Sequence, residues 1–159
     1  MGYSVTTSGM TELTEMLGKM GEAARGVAAA SLYEGAGVMA DAVSKSAGSI
    51  DTEPFHYVTS GTRKPSPEEK ALVESADMGI AKFHKTGVTV DTSVGMRNAG
   101  YGQLGSKTKP IPQIANAINS GTSFMAKQPF FRRAVSQARG ATVAAIESGV
   151  MSRIENMTK

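Results

Sequence analysis

The stretch IPQIANAINSGTSFMAKQPFFRRAVSQAR, residues 111–139, carries a short apolar run into a Gly-Thr-Ser turn and then into a Pro-Phe-Phe helix start. Pro112 or Gln113 opens a short helix that runs to about Asn119, and Gly121 ends it by accepting a left-handed conformation. Pro129 suits the first turn of the next helix, because its missing N–H would be unpaired there anyway and its φ is already near the helical value. Phe130 and Phe131 enter at once, so aromatic burial anchors that helix at its first turn. Phe131, Ala134, Val135, Ala138, Ala145, Ile146, Val150, Ile154 and Met157 then recur at helical spacing, which predicts a long final helix.

Upstream, residues 98–109 (NAGYGQLGSKTK) combine glycines with basic and amide side chains around Tyr101 and Leu104, with too few apolar residues to fold alone. The expectation is a mobile loop. Residues 78–96 divide into two alternating segments around Lys85-Thr-Gly, with Ile80 and Phe83 on one and Val88, Val90 and Val94 on the other, which predicts an antiparallel hairpin. The phase slip between Ile80 and Phe83 predicts a bulge. Ser66-Pro67-Glu68-Glu69 reads as a capping box with proline at the first helical position, opening a helix that ends near Ala76. Residues 48–65 are rich in turn formers and read as an irregular extended stretch.

At the start of the chain, residues 3–7 alternate apolar and hydroxyl side chains like a short strand. Met10, Leu13, Leu17, Met20, Ala24 and Val27 then form a helical stripe that Ala28, Leu32, Gly35, Met39 and Ala42 prolong, slightly rotated. A helix over residues 11–47 would be ~55 Å long. Glycines at 18, 21, 26, 35 and 37 each cost up to ~1 kcal/mol relative to alanine, so either packing compensates or the helix breaks near Gly35. The fold class expected from these patterns is α+β: a long N-terminal and a long C-terminal helix packed on a small antiparallel sheet, with extended loops.

The 159 residues, 40% of them hydrophobic, are enough for one domain with a core, and residues 1–159 read as one domain with a flexible loop at 98–109. Without cysteine there is no disulfide, thiol nucleophile or cysteine-bound zinc. No apolar run approaches the ~18 residues of a membrane span, and MGYSVTTSGM lacks the basic and apolar regions of a secretion signal, so synthesis in the cytosol is expected. The 17 basic and 14 acidic residues leave a net charge of +3, too little to imply nucleic-acid binding without local clustering.

The chemistry inventory points away from an enzyme. His56 and His84 have no partner at metal-ligand spacing. Asp51 with Glu53 lies in a turn-rich loop, and Glu68 with Glu69 sits in a helix first turn, where acids favour the dipole. Gly100, Gly102 and Gly105 do not run from a strand into a helix with a Lys-Ser/Thr ending, so no phosphate-binding loop is read. Ser60 and Ser123 lack a visible base. No catalytic residue, metal ligand or cofactor site is assigned. Basic residues gather in three places: Arg63 with Lys64, Lys107 with Lys109, and Lys127 with Arg132 and Arg133.

Ile114, Ala115, Ile118, Gly121, Thr122, Ser123, Pro129, Phe130 and Ala134 together resemble the C-terminal part of the neck or tail-completion proteins of long-tailed, lambda-like siphophages, in which an apolar stretch leads through a Gly-Thr-Ser turn and Pro-Phe into a long final helix. Weaker agreement extends across most of the chain; Arg132 and Arg133 depart from it, standing where such proteins often have one apolar or proline residue. The resemblance implies a virion structural protein at the head-to-tail junction, made in the host cytoplasm and assembled as a homo-oligomeric ring, sixfold in the favoured case with twelvefold as the alternative. Its neighbours would be a head-closure or connector protein and tail-terminator or tail-tube proteins, with no membrane partner. Gly121, Thr122, Ser123, Pro129, Phe130, Phe131, Tyr101 and Leu104 are then candidate assembly residues. Lys107, Lys109, Lys127, Arg132 and Arg133 are candidate contacts to genome DNA in the lumen, touching phosphates without reading bases. The competing reading is a cytosolic helical binding module or a nonspecific nucleic-acid-binding protein.

Overall fold

A computed structural model describes residues 21–56, 61–85 and 90–157. Helix α1 spans Glu22–Gly48 and α2 spans Pro67–Ser75. Strands β1 (Met78–Lys85), β2 (Val90–Met96), β3 (Tyr101–Leu104) and β4 (Lys107–Pro110) follow, then α3 (Ile111–Ser120) and α4 (Phe130–Met157). The architecture is α+β, with the two long helices packed on each other and with small two-stranded antiparallel sheets, β1–β2 and β3–β4. The strand expected at residues 3–7 and the first turns of the expected N-terminal helix lie outside the described residues.

Helices α1 and α4, each ~40 Å long, run antiparallel. Ser46 donates to the Phe130 carbonyl at 2.8 Å near one end, and Arg153 meets Glu34 toward the other. Of the two outcomes open at Gly35, packing compensates and the helix does not break. A Cβ at that position would stand 2.3 Å from Ile146 Cγ1 and 3.1 Å from the Thr142 carbonyl oxygen, so the missing side chain is what lets the two helices approach. Dispersion and burial across that contact offset the glycine's low helix propensity. The buried face keeps Ala24, Val27 and Gly35 of the expected stripe but not its larger members Leu32 and Met39. Ala24, Val27, Ser31, Gly35, Ala36, Ala40, Val43 and Ala47 are buried, whereas Leu32 and Met39 are half-buried. Small residues win the inside because close helix packing rewards a short Cα–Cα approach over side-chain bulk.

The capping box forms as its sequence requires. Ser66 Oγ accepts from the Glu69 N–H at 3.2 Å while the Glu69 carboxylate accepts from the Ser66 N–H at 2.8 Å. Asp77, with φ of 50°, reverses the chain from α2 into β1, a left-handed position that a short polar side chain tolerates. Its carbonyl accepts the Arg97 N–H at 3.0 Å, closing the open end of the first hairpin. The β1–β2 register shifts between Ile80 and Lys82, at the expected bulge. Along β2, Val90, Thr92 and Val94 alternate with exposed Asp91 and Ser93, and α1 backs both strands.

Residues 98–109 do not form the irregular loop that their composition predicts. They fold into β3 and β4, joined at Gly105-Ser106, with Leu104 opposite Lys107 and Tyr101 opposite Pro110. Gly105 has φ of 57°, and glycine at the first position of a two-residue turn is what a type II′ hairpin calls for. Gly102 is buried beneath Leu72; a Cβ there would lie 2.6 Å from both Leu72 methyls. The glycines therefore serve a tight turn and a close approach to α2.

The core gathers where the C-terminal half of α1 meets α2, α3 and the start of α4. Val43, Ala47, Ile50, Val73, Ile114, Ile118, Met125, Phe130 and Ala134 are all buried there, with Leu72, Leu104 and Phe131 packed around them. Each fully buried Val, Ile or Phe contributes about 1.5–3 kcal/mol relative to exposure. Among the described residues no helix is long and apolar enough to cross a membrane.

Candidate functional site

Helix α3 buries Ile111, Ile114, Ala115 and Ile118, one face at i, i+3, i+4 and i+7. Its end is set by Gly121, whose φ of 77° and ψ of 165° lie in a region open essentially to glycine alone, beyond the left-handed helical well that the sequence suggested. A Cβ at Gly121 would press on Lys127 at 3.0–3.2 Å. The chain then closes a compact turn. Thr122 donates its N–H to the Met125 carbonyl at 3.0 Å, and its hydroxyl accepts from the N–H groups of Phe124 (3.2 Å) and Met125 (3.0 Å).

This connector is bound down along its length. The Arg63 N–H donates to the Phe124 carbonyl at 2.9 Å and the Ala126 N–H to the Arg63 carbonyl at 2.8 Å, a short parallel pairing centred on Met125. The Gln128 amide clasps the main chain of Asp51, donating to its carbonyl at 2.7 Å and accepting from its N–H at 2.9 Å. Pro129 stands one residue ahead of α4, its carbonyl accepting the Arg133 N–H at 3.0 Å. Asn119 Oδ1 accepts the Phe131 N–H at 3.2 Å. Phe130 is buried and Phe131 half-buried, so Gly121, Thr122, Pro129 and both phenylalanines hold the connector in shape. Ser123 and its neighbour Phe124 form the exposed tip, Phe124 at 73% exposure.

Nothing in the sequence singles out Phe124: it lies at the tip of the Thr122–Met125 turn while its neighbour Met125 is buried, a division that only the folded chain creates. Tyr101 is likewise exposed, while Leu104 turns inward against the core. Because Tyr101 pairs with Pro110 and Leu104 with Lys107, Tyr101 and Gln103 line one face of the hairpin and Leu104, Lys107 and Lys109 the other. The tyrosine and the lysines do not share a surface.

The three basic groupings separate by role. Arg63 binds the Glu69 carboxylate through two hydrogen bonds of 2.7 Å, with its guanidinium carbon 5.2 Å from the Phe55 ring centroid. Burial raises the Glu69 pKa, but the Arg63 hydrogen bonds, the Ser66 N–H and the charges of Arg63 and Lys109 outweigh it, so the carboxyl sits below its ordinary value. Lys64 pairs with Asp51, holding that carboxyl low and its own ammonium high. Lys107, Lys109, Lys127, Arg132 and Arg133 are exposed and make no ion pair among the described residues. Arg132 and Arg133, neighbours on α4, diverge by ~100°.

A second polar knot, absent from the sequence reading, ties α1 to α4. Arg153 donates to Glu34, to Ser31 Oγ at 3.3 Å and to the Gly149 carbonyl at 3.0 Å. Gly149 is buried against it, and the Arg153 hydrogen bond lowers the Glu34 pKa. Ser31, itself fully buried, also donates to the Val27 carbonyl at 2.8 Å. His56 lies exposed in the loop after α1, its Nδ1 3.0 Å from the Pro54 carbonyl, and His84 lies in β1. Among the described residues no three or more His, Cys, Asp or Glu side chains converge as a metal site. Comparison with protein-family models, curated proteins and solved structures finds no match to this chain.

Proposed function

We propose that this protein is a structural component of the head-to-tail junction of a tailed phage, assembled as a ring between a head-closure or connector protein and the tail-terminator or tail-tube proteins. The observation that carries the reading is the connector between α3 and α4. The residues on which the resemblance to neck and tail-completion proteins rests form one continuous unit: Ile114, Ala115, Ile118, Phe130 and Ala134 are its buried anchors, and Gly121, Thr122, Ser123 and Pro129 shape the turn between them. A turn fixed this firmly, with Phe124 held out at its tip, suits docking with little loss of conformational entropy on binding. In this reading the chain acts by assembly and not by catalysis.

Lys127, Arg132 and Arg133 cluster in sequence at the connector and the first turn of α4, where they could meet genome phosphates without base readout. The test is genetic. Deleting the gene should yield filled heads and finished tails that do not join, with replication and DNA cleavage intact, and expression in trans should restore joining. Normal virions from the deletion would remove the proposal.

A further inference from the structure

Residues 92–146 contain seven Lys or Arg side chains and no Asp or Glu, so all 14 acids and the other ten bases lie outside them. The net charge of +3 thus hides a division, +7 in this segment against −4 in the rest of the chain. Such an asymmetry is the electrostatic footprint of contact with a polyanion. Folding sorts the seven by role. Arg97 stands 3.5 Å from Asp77, and the charge of Lys109 acts on Glu69, so these two are partly neutralised. Lys107 lies apart, on the β3–β4 hairpin. Lys127, Arg132, Arg133 and Arg139 are exposed on the connector and the first half of α4, and they make no ion pair among the described residues. The next acid along α4 is Glu147, two turns beyond Arg139. The part of α1 that runs alongside extends from Gly35, which meets Ile146, to Ser46, which meets Phe130. It holds one acid, Asp41, and one base, Lys45, which cancel and leave the arginines unopposed.

We propose that the connector and the first half of α4 bind double-stranded DNA through its phosphates, with Arg132 and Arg139 as the principal contacts and Arg133 and Lys127 beside them. Arg132 and Arg139 are seven residues apart, which places them on one helix face ~10 Å from each other. Arg133 turns ~100° away, and charges spread over more than one face suit an extended polyanion better than a small anion. Duplex DNA carries one charge per ~1.7 Å of axis, and each phosphate neutralised on it releases more counterion than on a single strand. A single-strand binder also needs aromatic faces on which bases stack. Here Phe130 is buried and Phe131 half-buried, and this half of α4 has no other aromatic residue. The inference deepens the genome contact proposed above and rests on that reading for the choice of DNA over RNA.

The experiment measures fluorescence anisotropy of a labelled mixed-sequence duplex of about 20 base pairs as the full chain is added, over a series of salt concentrations. Binding through about three phosphates gives a slope of log K against log salt near −3, a loss of roughly sixtyfold between about 50 and 200 mM. Arg132→Gln with Arg139→Gln should make that slope shallower by about two, whereas Arg25→Gln, an exposed charge at the far end of the helix pair, should leave it unchanged. No binding of the parent at the lowest salt, a slope that the double substitution does not move, or equally tight binding of poly-glutamate would each overturn the proposal. Salt and competitor series on the parent protein decide the matter even if a variant fails to fold. A failure here would leave the ring assignment standing, and intact joining in the gene deletion would leave DNA binding in solution untouched.

Discussion

Arg63 grips the Glu69 carboxylate through two hydrogen bonds of 2.7 Å while its own main chain pairs with the segment around Met125. One residue thus couples the capped start of α2 to the connector that aims α4. The pair is largely out of solvent, with side-chain exposures of 13% and 7%. Removing one partner strands the other's charge.

Arg63→Ala should therefore destabilise the protein by about 3–5 kcal/mol, the range for breaking a buried ion pair from one side. Urea denaturation checks this, and a loss below ~1 kcal/mol would show that water reaches Glu69 freely.

The same pair sets an acid limit. Because the folded-state pKa of Glu69 is depressed below the ordinary 4.5, its contribution is complete above that value and is lost as pH falls through the lower folded value. Stability should fall below about pH 4.5, and Glu69→Gln should flatten that part of the profile. Parallel pH–stability curves for the parent and Glu69→Gln would contradict the assignment.

Much of this fold was legible because local chemistry agreed with tertiary need. Ser66 through Glu69 dictate a cap whatever surrounds them, and the alternation around Ile80 and Val94 carries both the hairpin and its bulge. The failures share a cause. Glycine reads as freedom over residues 98–109, yet Gly102 is fixed by what it touches, Leu72, a residue remote in the chain, whereas at Gly35 the compensating packing that the sequence left open is found against Ile146. The Arg153–Glu34 knot and the Arg63–Met125 pairing likewise join residues whose nearness only the folded chain creates. The turn at Gly121 and the helix start at Phe130 are legible through turn and helix-start chemistry, while the exposure of Phe124, which is not among the candidate residues, depends on which side the core takes.

Gly35 and Gly37 make a matched contrast. Gly35→Ala should destabilise, since its Cβ would meet Ile146 and the Thr142 carbonyl, whereas Gly37→Ala enters open space and should stabilise α1 by about 0.5–1 kcal/mol. Thermal melts of the two variants should move in opposite directions; a shared direction would mean the α1–α4 contact is misjudged.

Phe130→Ala should cost about 3–5 kcal/mol by emptying the core at the start of α4. Gly121→Val should cost about 1–3 kcal/mol in backbone strain alone, with Lys127 crowding added. Both should lower incorporation into particles, and unchanged melting temperatures in both would sink the assignment.

The central claim, that this chain is a ring component at a head-to-tail junction, is tested most directly by a reconstruction of the neck in purified particles made by the genome that encodes it. The account predicts copies of the antiparallel α1–α4 pair arranged around the channel axis between head and tail, with the Phe124 tip against a neighbouring protein. Purified, infectious particles whose neck density is complete without this fold, and from which mass spectrometry recovers none of its peptides, would contradict it.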